Sequence, residues 1–393
     1  MSSQAALIDS TAEYRLLRLC AGSPSHDPRI PELIQSVTDW NTVINMSIRH
    51  SVLPLLYEHL QPAGWDSIPD GARQRLQDLH YKCIVRNTRL LAELNRVLDL
   101  FSGAGLQALP VKGPLLAIAC YGALHRRRFD DLDLLLNAEA IPKARAVLMD
   151  AGYRSFVNLP PAQMQAFIRA GWDVNLRQGD EEYSIDLSTG ITPGFFCFRI
   201  PDAAIRENLY SLGYQGRSYP APGPELLLVM LAAHGSYHRW ERLIWAADVR
   251  AVIRTSPELD MDRLRALARR TGAMRMLELA LCMAERLEPL PHPLREMIPD
   301  RGPVSRLADH PPSRLYYHFK VRERWRDRMC CLFRYFFAPT FSDWKCISLP
   351  AFLSWLYYLI RPFRAVRDAI KKTRALMRGS GKYSTRQVSS QFG

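Results

Sequence analysis

The segment from Arg126 to Leu136, RRRFDDLDLLL, places charge inside the pattern of a buried β-strand. Successive side chains on a strand point to opposite faces, so Asp131 and Asp133 share one face while Leu132 and Leu134 pack on the other. Two carboxylates in one small space repel each other and raise each other's pKa unless a cation lies between them. Hard divalent ions such as Mg²⁺ prefer these oxygen ligands. The pattern therefore predicts a metal-binding carboxylate pair.

A simpler interpretation also fits the same eleven residues. Asp131 could be a turn residue before the strand and Asp133 a solvated position at a sheet edge. A bare Asp-x-Asp is a short motif that matches often by chance. The surrounding sequence has to decide between the two interpretations.

Upstream of the pair, the pattern predicts a strand from Leu106 to Val111, a turn at Lys112-Gly113 and a helix that begins at Pro114. Proline suits the first turn of a helix, and glycine lets the backbone approach a ligand closely. The free N–H groups at the start of this helix, together with Lys112, would suit a phosphate group.

Downstream, the residues 138–152 predict an amphipathic helix, and a strand resumes at Tyr153 to Val157. The order is therefore strand, helix, strand, helix, strand. A third carboxylate, Asp186, lies in the alternating segment 182–188, which is predicted to pair with the residues 172–176 across a turn at Gly179-Asp180. Asp186 would complete a triad with the first two aspartates.

These features together resemble the uncharacterised nucleotidyltransferase family of the DNA polymerase β-like superfamily. The resemblance covers about residues 85–255 and rests on the following segments: Leu109-Pro-Val-Lys-Gly-Pro-Leu-Leu, Tyr121-Gly122, Arg127 four residues before Asp131-Leu-Asp133, Ala151-Gly152-Tyr153, Ile185-Asp186-Leu187 and the helical stretch 234–248. One position departs from the wider superfamily, which usually has Gly-Ser or Gly-Gly where this chain has Gly113-Pro114. Phosphate contacts would then come from the backbone, Lys112 or arginines.

The resemblance implies an α+β fold, with a small mixed β-sheet core flanked by N-terminal and C-terminal helical regions. It also implies two divalent ions, Mg²⁺ or Mn²⁺, held by Asp131, Asp133 and Asp186, with a nucleoside triphosphate (NTP) as substrate. Asp186 would contact only the second ion and help to activate the acceptor. The residues implied to bind the nucleotide are Lys112, Gly113 and Arg127. Three consecutive arginines could also simply solvate a loop.

Two histidines, His234 and His238, are four residues apart on a predicted helix and so share a face. They could form half of a zinc site, although His-Glu-x-x-His is absent because Gly235 follows His234. Alternatively they pack against Trp240 and Trp245 or line the acceptor cleft. Asp248 is open to two interpretations, a helix salt bridge or a residue that lines the site.

The charge of the chain is concentrated at one end. Residues 311–393 contain 17 Lys and Arg against 4 Asp and Glu, whereas residues 1–310 contain 35 of each. A neutral core weakens the idea that the protein grips a long nucleic acid as its partner. Eight scattered cysteines without framework spacing favour reduced thiols in the cytoplasm, and no secretory signal is expected.

The basic region also contains an apolar run from Ile347 to Ile360, shorter than the roughly 20 residues that cross a bilayer. One hypothesis is an interfacial helix with Trp355, Tyr357 and Tyr358 near lipid headgroups, which would place the protein at the inner face of the membrane. The alternative is a helix that packs its apolar face on the core. Gly379-Ser-Gly-Lys-Tyr-Ser lacks the full P-loop pattern and is interpreted as a flexible tail.

Four regions are predicted: a helical N-terminal region (1–104), the catalytic core (105–215), a helical C-terminal domain (216–300) and the basic, aromatic-rich helical tail (301–393). Three helical stretches are expected in the first region, at about 14–21, 40–60 and 72–102. Four more are expected at about 224–238, 241–255, 260–271 and 274–287.

The first functional hypothesis is a metal-dependent nucleotidyltransferase that transfers a nucleoside monophosphate (NMP) to a hydroxyl of a small-molecule, sugar or peptide acceptor. One alternative is a non-catalytic binding or scaffold protein with the same fold. Another is an antitoxin-like transferase that acts on tRNA or protein, for which the basic tail would supply phosphate contacts.

Overall fold

The computed structural model describes residues 11–22, 27–179, 184–300, 302–309, 313–346, 349, 353, 355–364 and 367. Within these residues, five α-helices precede the first strand: α1 (Ala12–Gly22), α2 (Ile30–Ser36), α3 (Trp40–Arg49), α4 (Leu53–Gly64) and the long α5 (Asp70–Gly103). The sheet region then comprises β1 (Leu109–Val111), α6 (Gly113–Tyr121), β2 (Asp131–Leu135), α7 (Ile141–Asp150), β3 (Tyr153–Ser155), α8 (Pro161–Arg169), β4 (Val174–Gln178) and β5 (Ser184–Ser188).

After the sheet, the chain is again mostly helical. These elements are α9 (Asp202–Arg206), β6 (Leu209–Tyr214), β7 (Arg217–Pro222), α10 (Pro224–Tyr237), α11 (Leu243–Thr255), α12 (Met261–Thr271), α13 (Met274–Glu285), α14 (His292–Arg295), α15 (Pro303–Asp309), α16 (Arg314–Val321), α17 (Trp325–Phe337) and α18 (Phe341–Cys346). Residues 356–364 are also helical.

The main sheet has the order β1-β2-β5-β4-β3. The β2–β5 pair is parallel and the other three pairs are antiparallel, so the sheet is mixed. The predicted order of strands and helices and the α+β class are confirmed. The β4–β5 pairing matches the prediction, with Val174 opposite Leu187.

A second, two-stranded sheet was not predicted from the sequence. β6 and β7 form an antiparallel hairpin joined by Gln215 and Gly216, which have φ values of 48° and 75°. Positive φ at both central residues is typical of the two-residue turns that match strand twist. The prolines of β7 suggested a rigid lead into α10 and concealed the strand, because proline is usually confined to edge strands.

Most helices confirm the periodicity analysis, but the stretch predicted at 40–60 was wrong as one helix. It is divided into α3 and α4 at His50–Val52, where Ser51 adopts a φ of 59°. Pro54 then lies in the first turn of α4, a position that proline tolerates because the first N–H groups have no intrahelical partner.

Two hydrophobic cores organise the described residues. The larger core joins buried side chains of the N-terminal helices, such as Leu16 and Ile44, to those of α10–α13, such as Leu228 and Leu277. The other lies on one face of the sheet, against the C-terminal half of α5, α7 and α8. Thus the N-terminal helices share a core with helices more than 150 residues away in sequence.

The tail packs on the sheet core at two buried aromatic residues, Trp344 and Tyr357, whose rings lie 5.8 Å apart. Among the described residues, no helix is both long enough and apolar enough to cross a bilayer. The P-loop-like residues 379–384 and Asp180 of the predicted turn lie outside the described residues. The seven cysteines whose side chains are described are free thiols.

The close contact between Gly235 of α10 and Trp240 gives a test of the packing. A Cβ at Gly235 would lie 2.5 Å from the Trp240 ring. We expect Gly235→Ala to lower the free energy of unfolding by about 1–3 kcal/mol, the usual cost of overpacking a core, as measured by urea denaturation. Gly71→Ala, in the first turn of α5 with open space around it, is the matched control and should not be destabilised. Equal effects would contradict this account.

Candidate active site

The parallel pairing of β2 with β5 brings three aspartates together. Asp133 lies opposite Asp186 in the register, and Asp131 lies two residues earlier on the same face of β2. Carboxylate oxygens of these three residues all lie within 4.8 Å of one another. Leu132 and Leu134 are buried on the other face, as the alternation predicts. The structure therefore unites three acidic side chains that the sequence separates by 55 residues.

The crowding of negative charge changes the acidity of the cluster. Burial, followed by the negative charge of Asp133, raises the pKa of Asp131 to about 7. Burial and the charge of Asp133 likewise raise the pKa of Asp186 to about 6. Asp186 also accepts a hydrogen bond from Asn175 Nδ2 at 2.8 Å, which acts in the opposite direction. Burial and mutual repulsion therefore make it unfavourable for all three carboxylates to be ionised at once.

Lys112 supplies a positive charge at the edge of the triad. It follows β1, and its Nζ lies 2.9 Å from Asp133 Oδ2. Burial alone would lower the pKa of Lys112, but the charges of Asp133 and Asp131 outweigh it and raise that pKa. Its backbone has φ 58° and ψ −138°, a conformation that a non-glycine residue rarely adopts. Such strain is often retained where it places a functional side chain.

Gly113 follows Lys112 at the beginning of α6 with a φ of 45°. No side chain of the described residues caps this helix, and Pro114 occupies its first turn. A Cβ at Gly113 would lie 3.6 Å from the carbonyl oxygen of Asp131, so the start of α6 lies directly beside β2. The predicted Lys-Gly turn and the carboxylates are therefore neighbours.

Arg127 is not directed freely into the cleft. Its Nε and Nη2 donate to Asp248 Oδ1 and Oδ2 at 2.7 and 2.8 Å, and both residues are buried. Tyr121 Oη donates to the same Oδ1 at 2.8 Å, and Asn87 Nδ2 donates to the Arg127 carbonyl at 2.8 Å. Of the two interpretations of Asp248, the structure shows a salt bridge, made to a loop distant in sequence and not within its own helix.

The other two arginines of the run have different partners. Arg128 pairs with Asp130 at 3.2 Å, and Arg126 pairs with Glu58 of α4. Arg126 Nη1 also donates to the Tyr121 carbonyl at 3.3 Å. Arg126 therefore fixes the loop before β2 to α4, whereas Arg128 forms an ion pair within that loop.

The two histidines form a pair of neighbouring rings next to Lys112. His234 Nδ1 is 3.4 Å from Lys112 Nζ, and the His234 and His238 ring centroids are 4.6 Å apart. His238 stacks on Trp245 at 4.8 Å. Burial and the charge of Lys112 lower the pKa of both rings, to about 3 for His238, so both are neutral. Within the described ranges, no third ligand joins them, and the packing interpretation is favoured over half of a zinc site.

Two further polar residues near the triad were missed in the sequence. Asn175 on β4 bonds Asp186, and Asp173 just before β4 is influenced by Ser188, Asp133 and Lys112. Burial first, and then the negative charge of Asp133, raise the pKa of Asp173 to about 6, while the hydrogen bond from Ser188 opposes the shift. The alternation Asp173-Val-Asn175-Leu could have signalled them, because it puts polar groups on the face shared with Asp186.

The match to a protein family agrees with the geometry of the site. Residues 36–289 match a protein family described as uncharacterised nucleotidyltransferase. No curated protein matches the chain. Among solved structures, the solution structure of the antibiotic-resistance factor ANT(2'')-Ia matches with 15% identity and a TM-score of 0.33, and the match covers 47% of this chain and 91% of that one.

The raised pKa of Asp131 predicts how stability depends on pH in protein freed of metal with a chelator. The folded state binds this proton more tightly than the unfolded chain, so stability from this group falls as the pH rises from 3.8 to about 7. Asp131→Asn removes the ionisation, and we expect it to raise the free energy of unfolding by up to about 4 kcal/mol at pH 8 and by less than about 1 kcal/mol at pH 4. Urea denaturation at both pH values checks this, and a variant less stable than the wild type at pH 8 would contradict it.

The buried pair of Arg127 and Asp248 predicts a large loss of stability when one partner is removed. Asp248→Asn leaves the Arg127 guanidinium buried without its counter-charge, and we expect a loss of about 3–5 kcal/mol in urea denaturation. Asp99→Asn is the matched control, since Asp99 also forms a two-point contact with an arginine, Arg217, but at the surface. Asp99→Asn should change the free energy of unfolding little. Similar losses in both variants would contradict the expectation that burial makes the Arg127–Asp248 pair more costly to break.

Proposed function

Because the chain belongs to the uncharacterised nucleotidyltransferase family, we propose that it transfers NMP from an NTP to a hydroxyl group of a small-molecule, sugar or peptide acceptor. The observation that carries the proposal is the convergence of Asp131, Asp133 and Asp186 beside the start of α6. Phosphoryl transfer uses carboxylates that hold metal ions close to groups that bind phosphate. Here the phosphate-binding groups would be Lys112 and the N–H groups at the start of α6.

The donor set of the triad fits a hard divalent cation. Three carboxylate oxygens within 4.8 Å of one another form an acidic oxygen cluster, which suits Mg²⁺ or Mn²⁺. Burial and mutual repulsion raise the pKa values of Asp131 and Asp186, and a bound cation would relieve that repulsion. We assign Asp131, Asp133 and Asp186 as the residues that would hold the metal. Divalent ions bound there would offset phosphate charge and lower the pKa of the acceptor hydroxyl.

The residues around the triad would bind and orient the triphosphate. The N–H groups at the start of α6 would donate to phosphate oxygens, and Gly113 permits the close approach. Lys112, now paired with Asp133, would turn toward phosphate when a cation takes over the neutralisation of that carboxylate. Arg127 stays paired with Asp248 and keeps a positive charge near Asp131. The negative charge of Asp131 is one of the causes that raise the pKa of Arg127.

In the proposed reaction the acceptor oxygen attacks the α-phosphorus of the NTP. A new oxygen–phosphorus bond forms as the bond from the α-phosphorus to the bridging oxygen breaks, and pyrophosphate leaves with the electron pair. We assign the acceptor proton to Asp186, whose carboxylate would accept it as the acceptor oxygen attacks. Asn175 orients this carboxylate through its hydrogen bond.

The class of acceptor is inferred from charge. Residues 1–310, which include the triad and the surrounding helices, contain equal numbers of acidic and basic residues. A long nucleic acid normally requires a basic track beside the site, so a small or peptide acceptor fits better. The two neutral, partly buried histidines and Trp245 supply ring surfaces next to Lys112.

The test is binding and turnover of NTPs with the full chain. In calorimetry with Mg²⁺ or Mn²⁺, we expect metal-dependent NTP binding that is lost in Asp131→Asn/Asp133→Asn, because the phosphate charge is no longer offset. Pyrophosphate release in the presence of an acceptor should fall at least about 100-fold, the usual scale when a group that stabilises transition-state charge is removed.

The matched control is Asp130→Asn. Asp130 immediately precedes the triad but pairs at the surface with Arg86 and Arg128, so binding and turnover should be retained. NTP binding that is indifferent to the double substitution would contradict the proposal and favour a scaffold protein that kept only the fold.

A further inference from the structure

The exposed large apolar side chains of this protein are concentrated in its basic end. Of the fourteen such residues in the described part of the chain, ten lie between residues 316 and 363. They are Tyr316, Trp325, Met329, Phe333, Tyr335, Phe336, Trp355, Tyr358, Leu359 and Phe363. Single exposed apolar residues are normal on a protein surface, but a concentration of this kind marks an interaction site.

Four of these residues form a stripe along α17. Trp325, Met329, Phe333 and Phe336 are spaced at i, i+4, i+8 and i+11, which puts them on one face of the helix. Their exposed fractions are 65%, 41%, 55% and 50%.

The opposite face of α17 holds the helix to the protein. Cys331 is fully buried, and Arg334 Nη1 donates to the carbonyl oxygens of Gly194 at 2.9 Å and Ala170 at 3.3 Å. Because this face is anchored to the protein, the apolar stripe on the other face points outward.

A second stripe follows in residues 355–363. Trp355, Tyr358, Leu359 and Phe363 repeat at helical spacing and are exposed, Phe363 by 79%. Tyr357, on the other side, is buried, and its hydroxyl accepts from the Leu349 N–H at 3.0 Å. The face with Tyr357 packs on the core, so the expected position of Tyr357 near lipid headgroups was wrong, while the face with Trp355 and Tyr358 is open.

Both stripes lie in strongly basic sequence. Residues 313–367 contain 11 Lys and Arg against 3 Asp and Glu, and residues 368–393 add 6 against 1. This charge belongs to the same segment as the exposed rings, while residues 1–310 are neutral.

We propose that the two apolar stripes, Trp325, Met329, Phe333 and Phe336 on α17 and Trp355, Tyr358, Leu359 and Phe363 in the following helix, dock on an anionic lipid bilayer. Phenylalanine and leucine side chains would enter the acyl boundary, and the amphipathic rings of tryptophan and tyrosine suit the headgroup level. The excess of arginine and lysine in the same segment complements the negative charge of the cytoplasmic leaflet.

Two other occupants fit less well. A second copy of the chain would bring two strongly basic segments together, and like charges at close range repel. Residues 368–393 are themselves basic and contain few large apolar residues, so they match the stripes in neither charge nor apolar area. An anionic lipid surface matches both the positive charge and the exposed apolar area of this segment.

The experiment is flotation of the full chain with vesicles, without nucleotide or acceptor. We expect binding to phosphatidylcholine vesicles that contain roughly one third phosphatidylserine, and weaker binding both without phosphatidylserine and at high salt. Phe333→Ser/Phe336→Ser and Trp355→Ser/Phe363→Ser should each reduce the partition coefficient at least about tenfold, because each removes inserted apolar area.

The matched control is Tyr81→Ser/Phe156→Ser, two rings exposed by 67% and 55% elsewhere on the protein. It should leave vesicle binding unchanged. Urea denaturation midpoints of all variants should equal that of the wild type, which separates a binding effect from misfolding.

Three outcomes would overturn the proposal. The first is absence of binding to the phosphatidylserine vesicles, and the second is an equal loss of binding in the control variant. The third is a concentration-dependent dimer, measured by sedimentation without lipid, that the stripe variants abolish while vesicle binding is absent. That result would assign the surface to contact between copies of this chain.

Discussion

The parallel contact between β2 and β5 is the constraint on which the candidate site depends. It places Asp133 directly opposite Asp186, so the register that buries Leu132, Leu134, Ile185 and Leu187 necessarily collects carboxylates on the other face. A shift of one residue would expose the leucines and bury the aspartates, so the hydrophobic face sets the geometry of the acidic one. The energy of apolar burial therefore sustains the repulsion that raises the pKa of Asp131.

A second interaction connects this site to the rest of the protein. The two-point contact of Arg127 with Asp248 joins the loop before β2 to α11, and Tyr121 and Asn87 bring in α6 and α5. α11 belongs to the core that the N-terminal and C-terminal helices share. Helices from both ends of the chain thus support the residues beside the triad. Arg127 shows how a conspicuous charge next to a candidate site can act through structure, since its guanidinium is committed to Asp248.

Much of the candidate site could be predicted because its signals are local. The Asp-x-Asp alternation, the Lys-Gly turn before a proline-led helix and the hydrophobic-Asp-hydrophobic strand each occupy a few consecutive residues, and the predicted strands and helices around them are confirmed. Three features could not be predicted from local pattern, because each depends on groups that are distant in sequence. They are the pairing of Arg127 with Asp248, the contact of His234 with Lys112 and the proximity of Asp173 to Asp133. The β6–β7 hairpin was missed because prolines in β7 contradict strand propensity.

The sequence by itself determined the α+β class, the order of elements from β1 to β3 and which acidic residues face one way, since side-chain periodicity depends only on backbone geometry. It also determined that basic charge and aromatic rings are concentrated after residue 310. Only the tertiary structure decided which polar side chains meet. Lys112 pairs with Asp133, Arg127 pairs with Asp248, and Asn175 donates a hydrogen bond to Asp186. It alone decided that one face of α17 anchors the helix while the other stays open. The physical reason is that pairing and exposure depend on contacts between segments far apart in the chain, which local pattern does not encode.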